Sequence, residues 1–156
     1  MNQDADGNLV PGVATGFTTN DAKDVYTFTL RDDAKWSVGN AVTAHDFVYA
    51  WQRLADPATA SPYSWFAEIM ALENVGAVMS GDASPDTLGV TAIDNHTLEV
   101  RLTSSLPYFA AMTTHASTYP APEWSVSVWG NDWTKPEHII SNGAYVLTEH
   151  IPNERS

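Results

Sequence analysis

Two kinds of residue in this chain could do chemistry: titratable side chains standing close together, and aromatic rings set in loops. His45 and Asp46 are neighbours, the pairing that a proton relay would use. Adjacent helix residues point about 100° apart, however, and the pair falls at a helix start, where Asp46 instead favours the helix N-terminus. The five histidines, His45, His96, His115, His138 and His150, lack the i, i+4 or HExxH spacing of a metal site. Ser141-Asn142-Gly143 has no strand-turn-helix frame for a nucleophilic serine, and no glycine-rich phosphate loop occurs. Neither an enzyme nor a bound cofactor or metal is expected from these residues.

The aromatics say more. Six tryptophans (Trp36, Trp51, Trp65, Trp124, Trp129 and Trp133) accompany six tyrosines (Tyr26, Tyr49, Tyr63, Tyr108, Tyr119 and Tyr145), and most of them belong in a core. Tyr63 differs, because it follows Ala60, Ser61 and Pro62 in a loop. There a ring with a hydroxyl lies against a ligand backbone at small entropic cost. The alternative is that the ring caps the core from the loop.

The elements that would position these residues alternate between periods of two and 3.6. Val25 to Leu30 puts Tyr26, Phe28 and Leu30 on one face of a half-buried strand. After the Gly39-Asn40 turn, Thr43 stands three residues before Asp46 as the N-cap of a helix from Ala44 to Leu54. Its stripe is Phe47, Val48, Trp51 and Leu54, with Asp46, Gln52 and Arg53 toward water, and Asp56-Pro57 ends it. Ser64 to Met79 reads as two short helices, Trp65, Ile69 and Leu72 sharing the apolar side of the first and Val75, Val78 and Met79 continuing in the second. A polar loop from Gly81 to Gly89 leads to a hairpin, Val90 to Ile93 and Thr97 to Leu102 around Asp94-Asn95-His96, burying Leu98, Val100 and Leu102. A helix from Pro107 toward Thr114, an extended Ser117 to Pro122, a helix from Glu123 to Trp129, a Gly130-Asn131 turn and a strand from Gly143 to Thr148 complete the reading. The implied class is α+β: a small mixed, largely antiparallel sheet with several short helices.

A chain of 156 residues fits one domain with a substantial core. No apolar run approaches the ~18 residues of a membrane span, so no membrane insertion is expected. Seven Lys and Arg against 19 Asp and Glu give a net charge of -12, which repels nucleic acid. With no cysteine there is no disulfide, thiolate metal site or cysteine nucleophile, and the redox compartment stays open. Met1 is followed by Asn2, Gln3 and Asp4 rather than a basic and then apolar leader, and Ile151 to Ser156 is a polar tail just past a strand. The start fits either a cytosolic protein or one whose native leader and flanking sequence are removed, and the polar ends lead to the expectation of a single domain over 1–156 cut from something larger.

The run AKWSVGNAVTAHDFVYAWQRLADPATASPY, Ala34 to Tyr63, resembles the dipeptide/oligopeptide-binding family of bacterial extracytoplasmic solute-binding proteins. PGVA at Pro11 to Ala14, YTFTLRDDAKWS at Tyr26 to Ser37, LGVTAIDNHTLEVRL at Leu88 to Leu102, PYF at Pro107 to Phe109 and NGAYVL at Asn142 to Leu147 extend the resemblance over nearly the whole chain. Val38, where the family commonly has Asp, and Asn40-Ala41, in place of Thr or Ser with Pro, depart from it at the turn.

The resemblance implies the extra small domain of a two-lobed, periplasmic-binding-protein type II-like receptor. It further implies oligopeptide as the ligand of the intact protein, the membrane permease of an ABC transporter as its partner, and a periplasmic or extracytoplasmic location. Tyr63 falls on the family's loop tyrosine that touches bound peptide and His115 on a histidine near a side-chain pocket, whereas Arg31 and Asp46 look structural. For His115 the other reading is a core-edge or wetted surface ring. The remaining alternatives are a relative binding another solute, such as nickel, haem, an opine or a sugar-like compound, and a hydrolase domain. A His with an acid or Ser within hydrogen-bond reach would mark the hydrolase.

Overall fold

The computed structural model describes residues 1–149, so His150 and the 151–156 tail lie outside the described residues. Short antiparallel strands β1 (Asn2–Gln3) and β2 (Leu9–Val10) open the chain. The main sheet holds β3 (Ala14–Thr19), β4 (Val25–Leu30), β5 (Val90–Asp94) and β6 (Thr97–Arg101) in the order β3-β4-β6-β5, every neighbour antiparallel. Tyr26, Phe28 and Leu30 are buried as the period of two requires, and so are Leu98, Val100 and Leu102. Register sets Tyr26 opposite Val100 and Phe28 opposite Leu98, so buried side chains meet across the strands. The described pairings are all antiparallel, and the architecture is α+β with short helices.

The β5–β6 turn is fixed by Asp94, whose carboxylate accepts from His96 N at 2.7 Å and from Thr97 Oγ1 at 3.1 Å. The bond from His96 N–H first, and that from the Thr97 hydroxyl next, hold the Asp94 carboxyl below its ordinary value. Such a group stabilises the fold above its unfolded-state pKa and loses that contribution as pH falls through the folded value. Thermal melts between about pH 5 and pH 3 should therefore show a falling midpoint, with a shallower fall in Asp94→Asn; equal slopes would mean the turn bonds do not couple to folding.

Helix α1 (Ala44–Ala55) starts at Thr43, whose N–H and Oγ1–H both donate to Asp46 Oδ2, at 2.7 and 3.1 Å. That capping buries Asp46, which the helical pattern had directed to water. Trp51 and Leu54 are buried, with Phe47 and Val48 half-buried beside them. The Trp51 ring stands edge-on to Phe109, and its Nε1–H donates to Thr118 O at 2.9 Å.

Two helices, α2 (Ser64–Ile69) and α3 (Val75–Ser80), occupy the next stretch as expected, but α2 turns another face inward. Phe66 and Met70 are buried while Trp65 and Ile69 are exposed. The helix is only six residues long, and Met70 N–H bonding back to Phe66 O fixes a buried pair at i, i+4. Helix α4 (Phe109–Met112) is shorter than the run from Pro107, whose first residues form a turn. Residues Ala116–Thr118 form a 3-10 turn instead of the extended chain expected from Ser117, because His115 and Thr118 supply side-chain bonds that close it. Extended backbone begins only at Tyr119. Helix α5 (Glu123–Trp129) runs as expected into a 3-10 segment, Gly130–Thr134, in place of a simple turn. The expected strand from Gly143 to Thr148 is not formed: among the described residues no strand pairs with it, and Tyr145 is 89% exposed. An extended segment without a ladder partner gains none of the bonds that define a strand.

Candidate functional site

The loop after α1 is built by short-range bonds. Asp56 accepts from Ala58 N–H, opening a 3-10 turn at Pro57–Thr59, and Ala60 follows in the left-handed region with φ 50°. Ser61 Oγ then accepts from Tyr63 N–H at 3.2 Å, which sets the Tyr63 ring at the entrance to α2. The ring is 49% exposed.

His115 comes to the same place from a distant part of the chain. Its ring stacks on buried Phe66 with centroids 4.3 Å apart and an interplanar angle of 20°, and lies 5.8 Å from the Tyr63 ring. Trp65, itself 50% exposed, completes the cluster at 6.2 Å from Tyr63. Rings in such contact contribute about 0.5–1.5 kcal/mol per pair beyond their burial, enough to hold the faces without sealing them. The structure thus brings Tyr63 and His115 together and adds Trp65, which the helical pattern places on an apolar packing side, and Phe66, which that pattern does not single out. The available signal was three rings at positions 63, 65 and 66 across a loop-helix junction.

His115 Nδ1 accepts from Ser117 N–H at 3.2 Å and lies 2.8 Å from Ser117 Oγ. With Nδ1 occupied as an acceptor, the neutral ring carries its proton on Nε2. A His and Ser within reach is half of what a hydrolase needs. Here, however, the serine caps the same turn as the histidine, and no third residue among the described ones is bonded to the ring to orient it as a base. The pair closes the Ala116–Thr118 turn. Among the described residues no three His, Asp or Glu are placed to hold a metal.

Beside Tyr63 opens a groove of about 250 Å³, its walls including Arg53, Thr59, Ser117, Tyr119 and Trp133. The Arg53 guanidinium lies 5.9 Å from the centroid of the Trp133 ring. A separate recess of about 260 Å³ lies over the sheet, among Phe28, Leu30, Phe47, Trp51 and Leu98, and neither Tyr63 nor His115 reaches it. Tyr119 and Pro120 form the partition between the two.

Residues 8–156 match the family model described as bacterial extracellular solute-binding proteins, family 5 middle. The chain belongs to this family. The family 5 chain is 50% identical over 155 residues to the periplasmic murein peptide-binding protein MppA of Escherichia coli (strain K12), an alignment covering 99% of the chain and 28% of MppA. It is 47% identical over 152 residues to the periplasmic oligopeptide-binding protein OppA of the same organism, covering 97% of the chain and 28% of OppA. In three dimensions it matches Haemophilus influenzae OppA in complex with RPPGFSPFR with a TM-score of 0.93 at 44% identity, over 96% of the chain and 29% of that protein. The family 5 chain therefore spans less than a third of the length of these relatives.

Proposed function

We propose that this chain is one domain, residues 1–156, of a longer extracytoplasmic peptide receptor, and that the Tyr63–His115 face is its share of the ligand surface. The observation that carries the reading is the meeting of two rings from separate segments on one exposed aromatic face, beside an open groove. Exposed large rings grouped together mark a contact surface more often than chance exposure. In this reading the domain is the extra small domain of a two-lobed, type II-like receptor. Closure of the lobes buries an oligopeptide and presents the complex to the membrane permease of an ABC transporter. The names of MppA and OppA, a murein peptide-binding and an oligopeptide-binding protein, support the ligand class. Selectivity for sequence would be weak, because main-chain bonding serves any peptide and a hydrated groove tolerates varied side chains.

In the full-length receptor, Tyr63→Ala should weaken tripeptide binding by about 1 to 3 kcal/mol, the range for truncating an aromatic anchor. Isothermal calorimetry of both forms measures it. An unchanged affinity would remove Tyr63 from the ligand surface.

A further inference from the structure

Arg53 stands apart from the other arginines among the described residues. Arg31 and Arg101 are ion-paired with Asp33 and Glu99, and Lys135 with Asp132. Arg53 has neither an ion pair nor a hydrogen bond to any described residue, and its guanidinium lies 5.9 Å from the Trp133 ring centroid. With no partner among the described residues for its N–H groups, the guanidinium keeps a donor fork that matches a carboxylate.

The groove around it suits the same ligand. In a chain with 19 Asp and Glu against 7 Lys and Arg, no acidic residue among the described ones lines this groove, and among them Arg53 is its one charged wall residue. Thr59, Ser61 and Ser117 bring hydroxyls to the wall. Ser61 Oγ uses a lone pair to accept from Tyr63 N–H, which leaves its own proton for an incoming oxygen. Glu123 is the competitor to consider, since it and Arg53 both act on the Tyr49 phenol. It neither lines the groove nor forms an ion pair with Arg53.

We infer that the Arg53 groove takes a carboxylate of the peptide that lies against Tyr63, from an acidic side chain or the peptide's C-terminus. This rests on the reading of the Tyr63–His115 face as peptide surface and extends it to a preference among peptides. The Trp133 ring, 5.9 Å from the guanidinium, keeps the charge at the groove wall, and Tyr63 sets the distance between the peptide backbone and the charge.

The test is an NMR titration of this chain, which registers millimolar binding, with Ala-Glu-Ala-amide, Ala-Gln-Ala-amide and Ala-Gln-Ala carrying a free C-terminus. The Tyr63 ring resonances report contact with any peptide; the Arg53 Nε–H and Trp133 Nε1–H resonances report the groove. All three peptides should move Tyr63. The Glu amide should bind about fivefold tighter than the Gln amide and move the groove resonances, an advantage that fades in high salt. Comparison of the two Gln peptides shows whether a C-terminal carboxylate serves as well. Arg53→Gln should abolish the advantage while leaving the Gln amide unaffected, and Arg53→Lys should retain part of it. Equal affinities for the Glu and Gln amides, with still groove resonances, would overturn the inference and leave the peptide surface standing. Failure of every peptide to move Tyr63 would overturn both.

Discussion

Replacing Trp51 by alanine should lower the stability of the chain by about 3 to 5 kcal/mol, the range for removing a large buried ring. Trp51 is 2% exposed and sits where α1 meets the Phe109 ring, so its loss leaves a cavity that several elements would have to collapse to fill. Its Nε1–H also donates to Thr118 O, and truncation strands a buried carbonyl at further cost. That carbonyl belongs to the turn closed by His115, so the substitution should loosen the turn as well as the core. Urea melts of both forms, with the shift read at constant slope, measure the loss. A change below about 1 kcal/mol would mean that the α1 stripe is not the centre of the fold.

The chain on its own should bind a tripeptide no tighter than roughly millimolar, about -4 kcal/mol. Ligand pockets ordinarily enclose most of the ligand surface, whereas Tyr63, His115 and the Arg53 groove form one open wall. A single wall carries the full loss of ligand freedom against few contacts. The chain spans 28% of the length of MppA and of OppA, so most of the surface available to such proteins lies in sequence it does not contain. Titration of a tri- or tetrapeptide into this chain and into the full-length receptor should separate the two by several orders of magnitude. Micromolar binding by the chain alone would place the main contacts here and overturn the view of it as a part.

The elements legible in the sequence were those whose pattern carries its own explanation. Tyr26, Phe28 and Leu30 alternate, Thr43 and Asp46 cap a helix, and Asp94-Asn95-His96 separates two β-rich runs; each appears where the pattern put it. Strand β3 was not legible, because Ala14 to Thr19 lacks apolar alternation and is held as an edge by the backbone of β4. The inward face of α2 was misread because so short a helix is oriented by its ends, not by its own moment. The reverse error fell on residues 143–148, where a strand-like composition found no partner among the described residues.

The site divides the same way. Tyr63 stood out by its loop position and by resemblance, and His115 by resemblance alone. Their meeting depends on the path of the chain between them, which no local spacing encodes. Arg53 was directed to water by helical pattern, and only the approach of Trp133 from beyond α5 makes a walled groove around it.

Ala60 gives the loop before Tyr63 a further property. A residue with a Cβ in the left-handed region costs about 1–2 kcal/mol, while glycine there escapes the clash but gives up more freedom on folding. The clash exceeds the roughly 0.5–1 kcal/mol of lost freedom, so the fold is at worst indifferent to glycine at position 60. The breadth of orientations open to Tyr63, three residues on, is not. An exchange of Ala60 for glycine could therefore loosen the grip on a ligand in the proposed receptor without making the fold less stable.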